Sequence, residues 1–169
     1  WSSDVCSSDL RIEALTDKSM PRNGPGRAGN GNFALSDIRV FAANKKGGQR
    51  VPVKLVNPKA THQQNTAGLS VASSIDSDKR KSGWAVDFGG IGKEQAAVFE
   101  FAAPVGFEGG TILTVEMDFY VNTSHTIGRP RLAVTAAPRP VAIKGDSSAA
   151  SVATLLAAVK QAGSVEKLD

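Results

Sequence analysis

The chain has almost no cysteine, little aromatic character and no long apolar run. One cysteine, Cys6, stands in 169 residues, with two histidines, two tryptophans and a single tyrosine, Tyr120. One cysteine cannot close an intrachain disulfide, no C-x-x-C-H attaches a haem, and no Cys/His spacing suggests zinc. No stretch approaches the ~18 apolar residues of a membrane-spanning helix. The basic residues are scattered over loops, at Lys45 and Lys46, Lys79 to Lys81, and Arg129 and Arg131. They form no basic helix face and do not alternate with aromatics, so they read as solvated charge and nucleic acid is not an expected partner.

The cysteine sits in an unusual beginning, WSSDVCSSDL, with four serines, two aspartates and neither helical nor strand period. It lacks the basic start, apolar run and cleavage site of a signal peptide. Back-translated as TGG AGT TCA GAC GTG TGC TCT TCC GAT CT, it resembles a widely used sequencing adapter. Residues 1–10 are therefore expected to be a translated artefact, in a fragment of a longer protein. Without them the chain has no cysteine and carries 20 basic against 14 acidic residues, or +6.

Seventeen glycines and eight prolines separate short runs rich in Val, Ile, Thr and Phe, which predicts an all-β fold. Arg11 to Leu15 alternates as a strand, with an uncovered sheet edge or face expected there. Residues 16–31 form a long Gly/Pro loop, either functional or held by its own contacts. In NFALSDIRVFA, Phe33, Leu35, Ile38 and Val40 share a face only if a β-bulge falls near Ser36 and Asp37. VPVKLVN puts Val51, Val53 and Leu55 on one side, and Pro52 suits an edge strand. Strands are also expected at Trp84 to Phe88, in QAAVFEFA with Phe99 and Phe101 inward and Glu100 outward, in TILTVEMDFYV, and in RPRLAVTA with Leu132 and Val134. The TILTVEMDFYV strand should bury Leu113, Val115, Met117, Phe119 and Val121. This spacing points to an antiparallel β-sandwich or jelly roll over residues 11–141. Residues 142–169 read as a linker and an alanine-rich helix, capped at Ser147 or Ser148, stopped at Gly163 and leading to a further domain.

Several constellations suggest chemistry. Gly24 to Gly29 matches G-x-G-x-x-G but contains Pro25 and precedes a strand, which excludes a dinucleotide fingerprint. There is no nucleophile elbow, so no catalytic residue is assigned and the domain is not expected to be an enzyme. Asn122-Thr123-Ser124 has the form of a glycosylation acceptor. Asp76 and Asp78, ahead of Trp84, could hold a structural calcium ion. Alternatively, Asp76 bonds its own turn while Trp84 fills the core. His125, Arg129 and Arg131 flank a loop next to Tyr120, polar groups suited to sugar hydroxyls or carboxylates; alternatively this is an ordinary hairpin in which Arg131 pairs across the sheet with an acid such as Glu116.

RIEALTDKSMPRNGPGRAGNGNFALSDIRV, SIDSDKRKSGWAVD, AAVFEFAAPVG and HTIGRPRLAVTAAPRPV, in chain order, resemble a region of large planctomycete-type multidomain cytochrome c proteins. In that family a galactose-binding-like, discoidin-like β-sandwich lies between two planctomycete-specific domains. The resemblance implies an extracytoplasmic setting, periplasmic or secreted, and haem only in a domain absent from this chain. It also implies two functions. One is a noncatalytic module that binds a polysaccharide or glycan, with Trp84, Tyr120, His125 and Arg129 as ligand residues. The other is a spacer that docks flanking domains of the same chain through GPGRAGNGNF. Discoidin-type modules share the "AIDG…T.W" turn, in which Asp76 and Trp84 match, while Ser77 replaces the usual glycine and Ser82 the usual threonine. Pro130 likewise stands where the family has an aromatic. Exposed aromatics at the loops would favour sugar; a bare apolar patch over residues 21–33 would favour docking.

Overall fold

The computed structural model describes residues 7–78, 80–137 and 139–143. The expected helix over residues 147–163 lies outside them. Among the described residues nine strands form three antiparallel sheets. They are β1 (Ser7–Ala14), β2 (Ala34–Leu35), β3 (Asp37–Asn44), β4 (Val51–Val53), β5 (Leu55–Ala60), β6 (Trp84–Ala85), β7 (Gln95–Val105), β8 (Thr111–Asp118) and β9 (Pro130–Thr135). The sheets run β5-β7-β1-β9, β4-β3-β8 and β2-β6.

Side-chain alternation explains how the two larger sheets meet. Along β1, Leu10, Ile12 and Ala14 point inward, opposite Phe99 and Ala97 of β7, while Asp9, Arg11 and Glu13 point outward. Ile38, Val40 and Ala42 of β3 supply the facing layer, and all of these join one core with Phe33, Leu35, Trp84 and Phe101. The arrangement is all-β and sandwich-like. Fully burying a Leu, Ile or Phe is worth about 1.5–3 kcal/mol each, so this layer is the main source of stability.

The chain passes between sheets at single residues. Ser36 separates β2, paired with β6, from β3, paired with β8. Its hydroxyl accepts the Tyr120 and Val121 amides at 2.7 and 3.1 Å, and its own N–H donates to Asp118 at 2.7 Å. The break in alternation expected as a bulge is therefore a change of sheet, and the β3–β8 register runs unbroken from Asp37↔Asp118 to Asn44↔Thr111. Lys54 does the same between β4 and β5. Pro52 sits in edge strand β4, where a missing N–H costs the ladder nothing.

Other expectations need correction. β1 begins at Ser7, inside the adapter-like segment, and is paired on both sides, so no sheet edge is open at Arg11 to Leu15. Its outer face is crossed by residues 139–143. Arg139 pairs with the buried Asp9 at 3.2 Å, donates to the Phe101 carbonyl at 2.7 Å, and lies near Glu100. Arg11 reaches the Ile143 carbonyl. Arg131 pairs with Glu13, its direct register partner, rather than with Glu116, which pairs with Arg39 and Arg50. β8 places Leu113, Val115 and Met117 toward the core, but they are only partly buried because β8 is an edge strand, and Phe119 and Val121, expected in the same strand, lie beyond its end and are also only partly buried. Leu132 and Val134 of edge strand β9 are more exposed still.

The 16–31 loop is held by its own contacts. Met20 N–H bonds Asp17 O at 3.1 Å, Gly26 N–H bonds Gly31 O at 2.8 Å, and Gly31 N–H bonds Ala28 O at 2.7 Å. The loop is fastened to residues 126–128 by Arg27 N–H to Thr126 O at 2.9 Å and Gly128 N–H to Pro25 O at 2.9 Å. Gly26 permits this winding, since a Cβ there would stand 1.9 Å from the Asn32 carbonyl oxygen. Because that neighbour is backbone, it cannot rotate away. Gly26→Ala is expected to destabilise the fold by about 2 kcal/mol or more, as overpacking does; an unchanged denaturant midpoint would contradict the close contact.

Candidate functional site

A polar cleft lies where the 24–33 loop, the residues after β6 and the β8–β9 connection converge. It holds about 230 Å³. Its walls carry Asn30, Asn32, Gln64, Asp87, Asn122 and His125 over an apolar floor that includes Ala34 and Ala85. Ala34 and Ala85 are cross-strand partners in the β2-β6 ribbon, so the smallest sheet forms the base.

The polar groups hold one another in place. Asn32 is nearly buried; its side-chain oxygen accepts the Val86 N–H at 3.0 Å and its side-chain NH₂ reaches Gln64 at 3.4 Å. Asn30 accepts the Asn32 N–H at 3.1 Å and donates to the Asp87 carboxylate at 3.1 Å. The other Asp87 oxygen accepts the Phe88 N–H at 2.8 Å. His125 Nδ1 lies 2.7 Å from the Thr123 carbonyl oxygen. A carbonyl can only accept, so Nδ1 carries the proton and the Nε2 of neutral His125 is an acceptor.

Two large aromatics adjoin these residues in the chain. Phe88, one residue beyond Asp87, is 79% exposed, and Tyr120, just before Val121 and Asn122, is 63% exposed. Acceptors, amide donors and exposed rings together suit a polyhydroxylated ligand that has an apolar ring face.

The expected ligand residues divide. His125 lines the cleft and Tyr120 adjoins it. Trp84 does not serve: it is fully buried, edge-on to Phe33 at 4.9 Å, with its indole N–H donated to His62 O at 2.8 Å. It is a core residue beneath the cleft. Arg129 is exposed but paired with Asp17, where it fastens the 16–31 loop. Asn30, Asn32, Gln64, Asp87 and Phe88 were not anticipated. The amide-rich runs NGN and HQQN, and an aromatic before two glycines in DFGG, are the signals that point to them.

Asp76 and Asp78 build a turn. The Asp76 carboxylate accepts the Ser82 hydroxyl at 2.8 Å and the Asp78 N–H at 2.8 Å, and Asp78 accepts the Arg80 N–H at 3.2 Å. Among the described residues no group of three acidic, histidine or cysteine side chains is placed to hold a metal ion. With Asp76 already satisfied by donors, the turn reading accounts for it.

Compared with family models, curated proteins and solved structures, the chain matches none.

Ser77 occupies the left-handed region at φ 70°, where a side chain is costly. Ser77→Gly is expected to stabilise the domain by about 0.5–1 kcal/mol, read in denaturant unfolding, and adding or chelating calcium should leave its melting temperature unchanged. A drop in stability on that substitution, or a calcium-dependent melt, would contradict the turn as described.

Acid should loosen the 16–31 loop. The Asp17 carboxyl is lowered to about 2, chiefly by hydrogen bonds from the Ser19 hydroxyl and N–H, then by Arg129. Hydrogen bonding by Arg131, with Arg11 beside it, likewise holds Glu13 below its usual range against the desolvation that opposes it. A carboxyl lowered on folding stabilises above its unfolded pKa, and that contribution is lost as pH falls through the folded value. The stability gap between wild type and Asp17→Asn should therefore be widest at neutral pH and close between about pH 4 and 2. A gap that is constant with pH would show that the charge plays no part.

Proposed function

We propose that this domain is a noncatalytic carbohydrate-binding module whose finer topology is the galactose-binding-like jelly roll. In this reading it belongs to an extracytoplasmic multidomain protein of the planctomycete cytochrome c type and recognises a polysaccharide or glycan at the cleft of Asn30, Asn32, Gln64, Asp87, Asn122 and His125.

The observation that carries the reading is a polar, amide-rich cleft, two of whose lining residues, Asp87 and Val121, are followed or preceded in the chain by the exposed rings of Phe88 and Tyr120. Amides offer donors and acceptors together, matching hydroxyls that both donate and accept. The cleft has one carboxylate, whereas glycoside hydrolysis generally uses a pair. Asp87 is engaged by Asn30 and the Phe88 N–H, and His125 by the Thr123 carbonyl, which suits groups that hold a ligand in place. The spacer reading looked for apolar surface on residues 21–33, yet Ala28 and Phe33 of that stretch are buried in the domain itself.

A glycan array followed by calorimetry tests the proposal. Wild type should show saturable binding, with Asn122→Ala and His125→Ala each weakening it about tenfold, the loss expected for one hydrogen bond at a desolvated site. A folded protein that binds no glycan, or one whose binding ignores both substitutions, would move the assignment to a spacer.

A further inference from the structure

We propose that Phe88 is the stacking platform of the cleft, and that the site selects an uncharged sugar over an acidic one. This inference rests on the carbohydrate reading above and adds both a residue and a ligand class to it.

A lone exposed phenylalanine is ordinary on a protein surface. Phe88 differs because its backbone is held where an aromatic residue seldom sits, at φ 57°, while its ring is 79% exposed. Exposure means that core packing does not compensate for the conformation, and the surrounding backbone enforces it. Phe88 N–H is held by the Asp87 carboxylate at 2.8 Å, and the Asp87 carbonyl lies 3.1 Å from His62 Nε2. Gly90 N–H closes on Val86 O at 3.1 Å. A Cβ on Gly90 would come within 2.3 Å of that same Val86 oxygen, so only glycine fits where the loop closes. A strained residue whose surroundings over-determine it, next in the chain to a cleft residue that holds its N–H, is the pattern from which a ligand-contacting position is inferred. The same Asp87 lines the cleft and fixes Phe88, which couples the polar wall to the ring.

Charge sets the ligand class. The lining residues include one carboxylate, Asp87, and neither Lys nor Arg. A uronate or sulfate placed there would meet the like charge of Asp87 with no Lys or Arg among the lining residues to offset it. The amides and the acceptor nitrogen of His125 instead match neutral hydroxyls, and the hydrogen-bearing face of a pyranose would rest on the Phe88 ring.

The test uses Phe88→Gly and Phe88→Trp against an array of neutral glucose-, galactose-, mannose- and xylose-containing oligosaccharides, beside polygalacturonate and heparin. The best neutral hit is then titrated calorimetrically. Wild type should prefer neutral glycans. Phe88→Gly should bind about tenfold more weakly while melting at the same temperature or higher, since the strain is gone, and Phe88→Trp should retain binding. Undiminished binding by Phe88→Gly, or a preference for polygalacturonate or heparin, overturns the inference. If Asn122→Ala still weakens binding about tenfold in that case, the carbohydrate reading survives without it. No binding of any glycan by folded wild type removes both.

Discussion

The side-chain amide of Asn32 joins the loops that make this molecule more than two facing sheets. It accepts the Val86 N–H and reaches Gln64, while its backbone carbonyl accepts Ala28 N–H across the winding at Gly26. The Val86 N–H is buried and has left its ladder after the two-residue strand β6, so an amide oxygen at that point replaces a strand partner. Leaving such a donor unpaired would cost about 1–3 kcal/mol. One residue thus sets the spacing between the 24–33 loop, the residues after Trp84 and the 62–65 segment. The cleft is the space that this spacing leaves.

Trp84 completes the support from below. Its ring packs edge-on against Phe33 and its N–H is spent on His62 O, while His62 Nε2 reaches the Asp87 carbonyl. A route of direct contacts therefore runs from the core through His62 to the residue that carries Phe88. The buried tryptophan thus supports the residues around the cleft from the core. The outer face of the four-stranded sheet has a different character. Asp9, Glu13 and Glu100 meet Arg11, Arg131 and Arg139 there, and these charges hold residues 139–143 against the sheet.

What the sequence made legible follows from period and chemistry. Alternation located Phe99 and Phe101 in the core and Glu100 outside it, because β7 lies inside its sheet and its inner face is fully covered. The same alternation overstated the burial of β8, since a residue's period shows which face it takes and not whether anything covers that face. The disturbance at Ser36 and Asp37 was visible, but a bulge and a change of sheet break the period in the same way. Only the hydroxyl accepting two amides from the far end of β8 distinguishes them. Arg129 and Trp84 stood out as chemically conspicuous residues, yet one fastens a loop and the other fills the core. The cleft amides were hard to read because asparagine and glutamine in loops have no period, and their convergence depends on contacts across more than fifty positions.

The close backbone approaches bear on how such a domain can change over evolutionary time. Gly26 and Gly83 have no room for a side chain, with backbone atoms of Asn32 and Leu35 in the way, and these approaches fix the loops. Asn122 and His125, by contrast, rest on connections already secured by Ser36 and by backbone bonds to residues 27 and 34. Substitution at these cleft positions is thus largely uncoupled from substitution at the scaffold positions. A lineage carrying this fold could exchange one ligand preference for another through few mutations, each nearly neutral for folding.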